Sequence, residues 1–252
     1  MAKSTRFLSP WLDVLAIAAW GVLFLQYWLT GRLYLLIHPN YMGLTVVAGV
    51  GLLVISGVRA ITLWRRSRRY PPNMPAAQHL TLFPPGWSSA ILLATAIFGL
   101  VITPRAFASQ TAIQRGVTDT MTMTRVKPQA FRASNKSEDK SIIDWVRTLS
   151  LYPEPDAYMG QKAKVQGFVI HSPDFPEQYL LISRFVITCC AADVYPVSLP
   201  VKLTQNRNAY KPDTWLEVEG QMVTETLAGK RQIAIAATSL KPIPEPKNPY
   251  DY

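Results

Sequence analysis

The sequence predicts a membrane-embedded α-helical part of about three spans, followed by a mainly β domain built as a small barrel. Three observations predict this. Nearly all the long apolar runs of the 252-residue chain fall before residue 105. Of the net charge of +10, +8 falls there too, as nine Lys/Arg against the single acid Asp13. After Pro155 the apolar spacing changes from helical to alternating.

The first apolar run, Trp11 to Leu29, has nineteen residues. As a helix it covers roughly 28 Å, close to the ~30 Å hydrocarbon core of a bilayer. The second, Tyr41 to Trp64, carries Arg59 late enough for its side chain to snorkel toward the interface. The third, Trp87 to Thr103, has seventeen residues, the lower limit for a span. Trp11, Trp28, Tyr41, Trp64 and Trp87 sit at run ends, where an aromatic belt lies. The expected spans are therefore 11–29, 41–64 and 87–103, within a membrane part of residues 1–105.

Loop charge sets the orientation. Arg65, Arg66, Arg68 and Arg69 lie between the second and third runs with no acid nearby, and Lys3 and Arg6 precede the first. The positive-inside rule puts the N-terminus and the 65–86 loop in the cytoplasm and everything after the third span outside it. The expected location is the plasma membrane, with several passes, and the bilayer itself is the first partner. A nucleic-acid binder concentrates basic charge on a soluble domain instead, so nucleic acid is excluded as a partner. Ala106-Phe107-Ala108 resembles a signal-peptidase site, which leaves cleavage after Ala108 as an alternative.

Residues 106–140 are polar and without periodicity, as expected of a tether; about 35 flexible residues reach roughly 30–35 Å. Residues 141–252 form the expected β domain. Ser141 to Leu151 has helical apolar spacing with Asp144 in its first turn, a short packing helix. Five strand candidates follow: Lys162–Val169, Gln178–Cys189, Pro196–Leu203, Trp215–Met222 and Gln232–Leu240. Five strands in about eighty residues suit a closed or partly closed barrel of OB-like topology. Gly167 and Gly220, each two residues after a Val, suit sharply bent barrel strands.

Chemistry concentrates in Arg184-Phe185-Val186-Ile187-Thr188-Cys189-Cys190-Ala191-Ala192-Asp193. Its two cysteines are the only ones in the chain and are adjacent. Neighbouring Cα atoms lie about 3.8 Å apart, below the usual disulfide range, so a bond between the two is strained. Two readings stand side by side. In one, a cysteine at a strand end is buried as a small hydrophobe and the other is incidental. In the other, the strand breaks at Cys190, and Cys189, Cys190 and Asp193 face a common point as a soft-metal site for a divalent ion such as zinc. His171, which follows the first strand, is a weaker candidate fourth ligand. No cofactor is specified by any of these residues. His38 and His79 read as loop residues, and Asp13 as a snorkelling side chain at a span's end. There is no nucleotide-binding P-loop, Rossmann glycine pattern, HExxH or nucleophile elbow, and no enzyme is expected.

A set of residues resembles a known family. It comprises Tyr158-Met159-Gly160-Gln161-Lys162, the Val165/Gly167/Phe168/Val169 strand, Arg184 to Asp193 with Pro196, the Trp215/Val218/Gly220 strand, and Asn248-Pro249-Tyr250-Asp251-Tyr252. Together they resemble the YcgQ-like proteins, assigned as subunits of a two-component membrane permease. The resemblance implies membrane helices before an OB-like domain and a larger polytopic permease subunit as partner. The expected function is an accessory subunit whose extracytoplasmic domain scaffolds, gates or presents the substrate, a divalent metal among the options. Three spans with few charges do not easily line an ion path alone, which also argues for a partner. The alternative is a stand-alone membrane-anchored metal- or thiol-sensing protein.

Overall fold

A computed structural model describes residues 2–69, 86–116 and 137–252. His79 lies outside the described residues. The chain divides into two compact units, Met1–Arg105 and Ala106–Tyr252.

The first unit holds α1 (Ala2–Leu29), a 3-10 turn (Arg32–Leu35), α2 (Pro39–Arg69) and α3 (Trp87–Val101). Two stretches, Pro10–Leu29 and Pro39–Arg65, are long and apolar enough to cross a membrane. At fifteen residues α3 is shorter, about 22 Å long. α2 runs on through Arg69, so the Arg65–Arg69 cluster ends a helix. Contacts fix the direction of packing. Ser56 Oγ donates to the Val14 carbonyl (3.0 Å), and Gly21 lies against Gly49 and Leu53, so α2 runs antiparallel to α1. A Cβ at Gly21 would come within 2.9 Å of the Gly49 carbonyl, which is why a small residue stands at this crossing. Ser89 Oγ donates to Asp13, Trp20 Nε1 to the Leu92 carbonyl (3.0 Å) and the Tyr27 hydroxyl to the Gly99 carbonyl (2.6 Å). That rising series makes α3 parallel to α1. The three helices thus pass back and forth. Much of their apolar surface stays uncovered, Leu44, Val47 and Val54 of α2 being 71%, 69% and 60% exposed.

The second unit opens with α4 (Ser109–Gln114) and continues with α5 (Ile142–Leu151), then β1 (Lys162–Ile170), β2 (Tyr179–Val186), β3 (Tyr195–Lys202), β4 (Trp215–Leu227), β5 (Lys230–Pro242) and β6 (Tyr250–Asp251). α5 starts at a capping box in which Ser141 and Asp144 satisfy each other's backbone amides. It buries Ile142, Trp145 and Val146 against the sheet. The six strands form one mixed sheet in the order β1-β4-β5-β3-β2-β6, and β1 also pairs with β2. Pairings therefore run in a closed circuit through β1, β2, β3, β5 and β4. All neighbours are antiparallel except β3–β5 and β2–β6. Inside lie Val169, Ile182, Leu199, Leu216, Met222 and Ile235, each at most 1% exposed. At Gly220, beside a bulge, a methyl group would overlap the Ala236 carbonyl, and at Gly167 it would overlap that of Ser183.

Two details differ from expectation. The tether expected over 106–140 begins with a packed stretch: the Phe107 ring lies 5.6 Å from Phe185 and 6.2 Å from Tyr250, and Ser109 N donates to Asp213 (2.5 Å). The Ala106-Phe107-Ala108 triplet is thus built into the domain, and cleavage after Ala108 would sever Phe107 from this ring cluster. Residues 117–136 lie outside the described residues. Secondly, β2 stops at Val186 and not at Cys189.

Candidate functional site

The reason β2 stops is Asp193. Its Oδ2 accepts the Thr188 hydroxyl and Cys189 N (2.9 Å), its Oδ1 accepts Cys190 N (3.2 Å), and Asp193 N donates back to the Cys190 carbonyl (3.0 Å). Amides that would have continued the ladder are captured by a carboxylate, and the chain turns. On a strand, Cys189 and Cys190 would face opposite sides. In the turn, their sulfurs are 3.6 Å apart. Cys189 is exposed and Cys190 half-buried, so neither is buried as a small hydrophobe.

Two segments far apart in sequence hold this turn, the C-terminal tail and the stretch just past α4. Ile187 N donates to the Asp251 carbonyl (3.1 Å), tying the turn's entry to β6. Arg184, on β2, donates to the Asn248 carbonyl (3.0 Å), with its Nε 3.5 Å from Asp251. Arg115, just past α4, donates to the Val194 carbonyl at the turn's exit. The Arg184–Asp193 run and the Asn248–Tyr252 tail are therefore one piece of structure. Sequence reading missed this pairing because β6 is two residues long.

Ligand atoms of Cys189, Cys190 and Asp193 all lie within 4.8 Å of one another. Two 2.3 Å zinc–sulfur bonds at a tetrahedral angle put the sulfurs roughly 3.8 Å apart, and a linear arrangement roughly 4.6 Å apart. The observed 3.6 Å matches the bent, chelating case. Asp193 Oδ1 receives one loop donor and keeps a lone pair. Among the described residues, no fourth His, Cys, Asp or Glu joins the three. His171 stands apart from this group, its Nε2 2.8 Å from the Tyr210 carbonyl.

Electrostatics favour a Cys189 thiol that keeps its proton until something displaces it. The hydrogen bond with the Cys190 thiol, then the Asp193 carboxylate, pushes Cys189 up to about 11. Partial desolvation works to raise Asp193, but hydrogen bonds from Thr188 and the Cys189 and Cys190 amides outweigh it and hold the carboxyl below its ordinary value. Asp193 is thus a standing anion beside the protonated Cys189 thiol. Behind the turn the order is reversed: burial raises Asp251 despite the nearby Arg184.

A family model of the DUF1980 N-terminal domain matches residues 12–118, and one of the DUF1980 C-terminal domain matches residues 118–252. The chain belongs to the DUF1980 family. This is consistent with the resemblance to YcgQ-like proteins. The two matches meet at residue 118, past α4, so the N-terminal model of the DUF1980 family extends beyond the helical unit. No curated protein and no solved structure matches the chain.

Proposed function

We propose that this DUF1980 protein is an accessory subunit of a two-component membrane permease, and that its extracytoplasmic domain presents a thiophilic divalent cation to a polytopic partner. The observation that carries the reading is the Cys189/Cys190/Asp193 turn, a chelating dithiol with a carboxylate and, among the described residues, no fourth His, Cys, Asp or Glu. A closed structural zinc site uses four protein ligands, whereas a site that hands an ion on needs an open position. In the domain, the circuit β1-β2-β3-β5-β4 with parallel β3 and β5 is the order of an OB-like barrel.

In the helical unit, we take α1, α2 and α3 as three spans. The largely uncovered apolar faces of α1 and α2 support lipid or partner helices as their neighbours. α3 spans with the help of Ile102 and Thr103 or by local thinning of the bilayer. Arg65 and Arg66 mark the cytoplasmic end. Exposure of Cys189 favours one second reading, a thiol or metal sensor acting alone. Gentle extraction from native membranes decides between them. The accessory reading predicts co-purification with a polytopic protein and, for the purified chain alone in liposomes, no cation flux above empty vesicles. Saturable flux from the chain alone, or absence of any partner, contradicts it.

A further inference from the structure

Asp13, Arg59 and Ser89 come from three different helices and meet at one cavity of about 330 Å³. Asp13 lies three residues into the apolar stretch starting at Pro10, Arg59 six residues before Arg65, and Ser89 at the third residue of α3. With α2 antiparallel and α3 parallel to α1, all three stand at the same end of the helical unit. Ser89 donates to Asp13 Oδ1. Among the described residues, no direct ion pair joins Asp13 to Arg59, and both side chains line the cavity. The remaining walls are apolar, with Ile17, Phe24, Leu52 and Leu92 among them. Phe24 is eleven residues beyond Asp13, roughly 17 Å along the helix, close to the ~15 Å depth of one leaflet.

A free cation would meet Arg59, and a free anion would meet Asp13. A molecule carrying both charges, with an apolar tail, satisfies every wall. We propose that this cavity binds a zwitterionic phospholipid bearing a primary ammonium, its ammonium on Asp13, its phosphate on Arg59 and an acyl chain along Ile17, Phe24, Leu52 and Leu92. A primary ammonium donates N–H bonds to the carboxylate, which a quaternary ammonium cannot do. Arg59 supplies the planar donor fork suited to phosphate. This inference rests on the membrane reading of α1 to α3.

The test is native mass spectrometry of the delipidated full chain with phosphatidylethanolamine, phosphatidylcholine or phosphatidylglycerol at equal concentration. The expected result is retention of phosphatidylethanolamine about tenfold above the other two, the size of one charge-assisted hydrogen bond. Asp13→Asn should abolish the preference and Arg59→Gln should lower retention of all three lipids, both checked for unchanged helicity, while Leu44→Ala on the outer face of α2 leaves retention and preference intact. Equal retention of all three lipids, a preference that survives Asp13→Asn, or retention unchanged in Arg59→Gln overturns the proposal. A photo-crosslinker at Ile17 in native membranes should label phospholipid; labelling of a protein instead means a partner helix fills the cavity and also overturns it. Release of the chain by alkaline washing would mark failure of the membrane reading itself, a separate outcome.

Discussion

Cys189 is exposed yet should react slowly, and this contrast gives the sharpest chemical prediction. Its thiol is pushed up to about 11, first by the Cys190 thiol and then by Asp193. At pH 8 that leaves about one thiolate in a thousand, against about one in four for an ordinary cysteine of pKa ~8.5. The thiolate is the reactive form, so the deficit alone slows alkylation roughly two-hundredfold. Higher basicity makes each thiolate more nucleophilic and returns about a factor of ten, leaving a net slowing of about twentyfold. The assay is iodoacetamide labelling of the chelator-treated full chain, followed by peptide mass spectrometry from pH 7 to 11. The rate at Cys189 should still rise close to tenfold per unit between pH 9 and 10, where an ordinary thiol has levelled off. Cys190→Ser removes the largest cause and should move the profile toward lower pH. A wild-type plateau by pH 9, or an unchanged profile in Cys190→Ser, refutes the reasoning.

Trp145 is fully buried on α5, with Tyr158 edge-on at 6.1 Å and the Lys140 ammonium 4.5 Å from its ring centre, so Trp145→Ala should cost about 3–5 kcal/mol in chemical denaturation of the β domain; a loss below about 1 kcal/mol would place the helix outside the core. Burial raises Asp251, so its contribution to stability is fullest below the unfolded carboxyl value and is lost as pH rises through the raised one. The stability difference between Asp251→Asn and wild type should therefore shift in the variant's favour from pH 4 to pH 7 in denaturant titrations, and a difference independent of pH contradicts this. Reporter fusions after residue 75 should behave as cytoplasmic and those after residue 130 as external, and the reverse pattern would overturn the orientation and the external domain together.

Much of the fold was legible because apolar periodicity is a local signal. The five long strands and α5 lie where alternation and helical spacing put them, with Ser141 and Asp144 supplying the cap. Cys189, Cys190 and Asp193 were legible as a group because they are neighbours in sequence. Asp193's role in ending β2 was not, since the β-branched run Val186-Ile187-Thr188 leading into Cys189 reads as strand until the hydrogen bonds to the carboxylate are known. The β6 tail and the packing of Phe107 depend on contacts with residues well over fifty positions away, which no local pattern records. Asp13 was read as a snorkelling side chain for the same reason. Its partner Ser89 and the facing Arg59 become neighbours only when the helices pack.

The central claim is that the Cys189/Cys190/Asp193 turn holds a thiophilic divalent cation. Its most direct test is calorimetric titration of the reduced full chain with zinc, repeated on Cys189→Ser/Cys190→Ser. The account predicts one ion per chain, protons released on binding as the thiols deprotonate to thiolate ligands, and loss of that binding in the double variant. Absence of binding at micromolar zinc, or binding that the double variant retains, would contradict it.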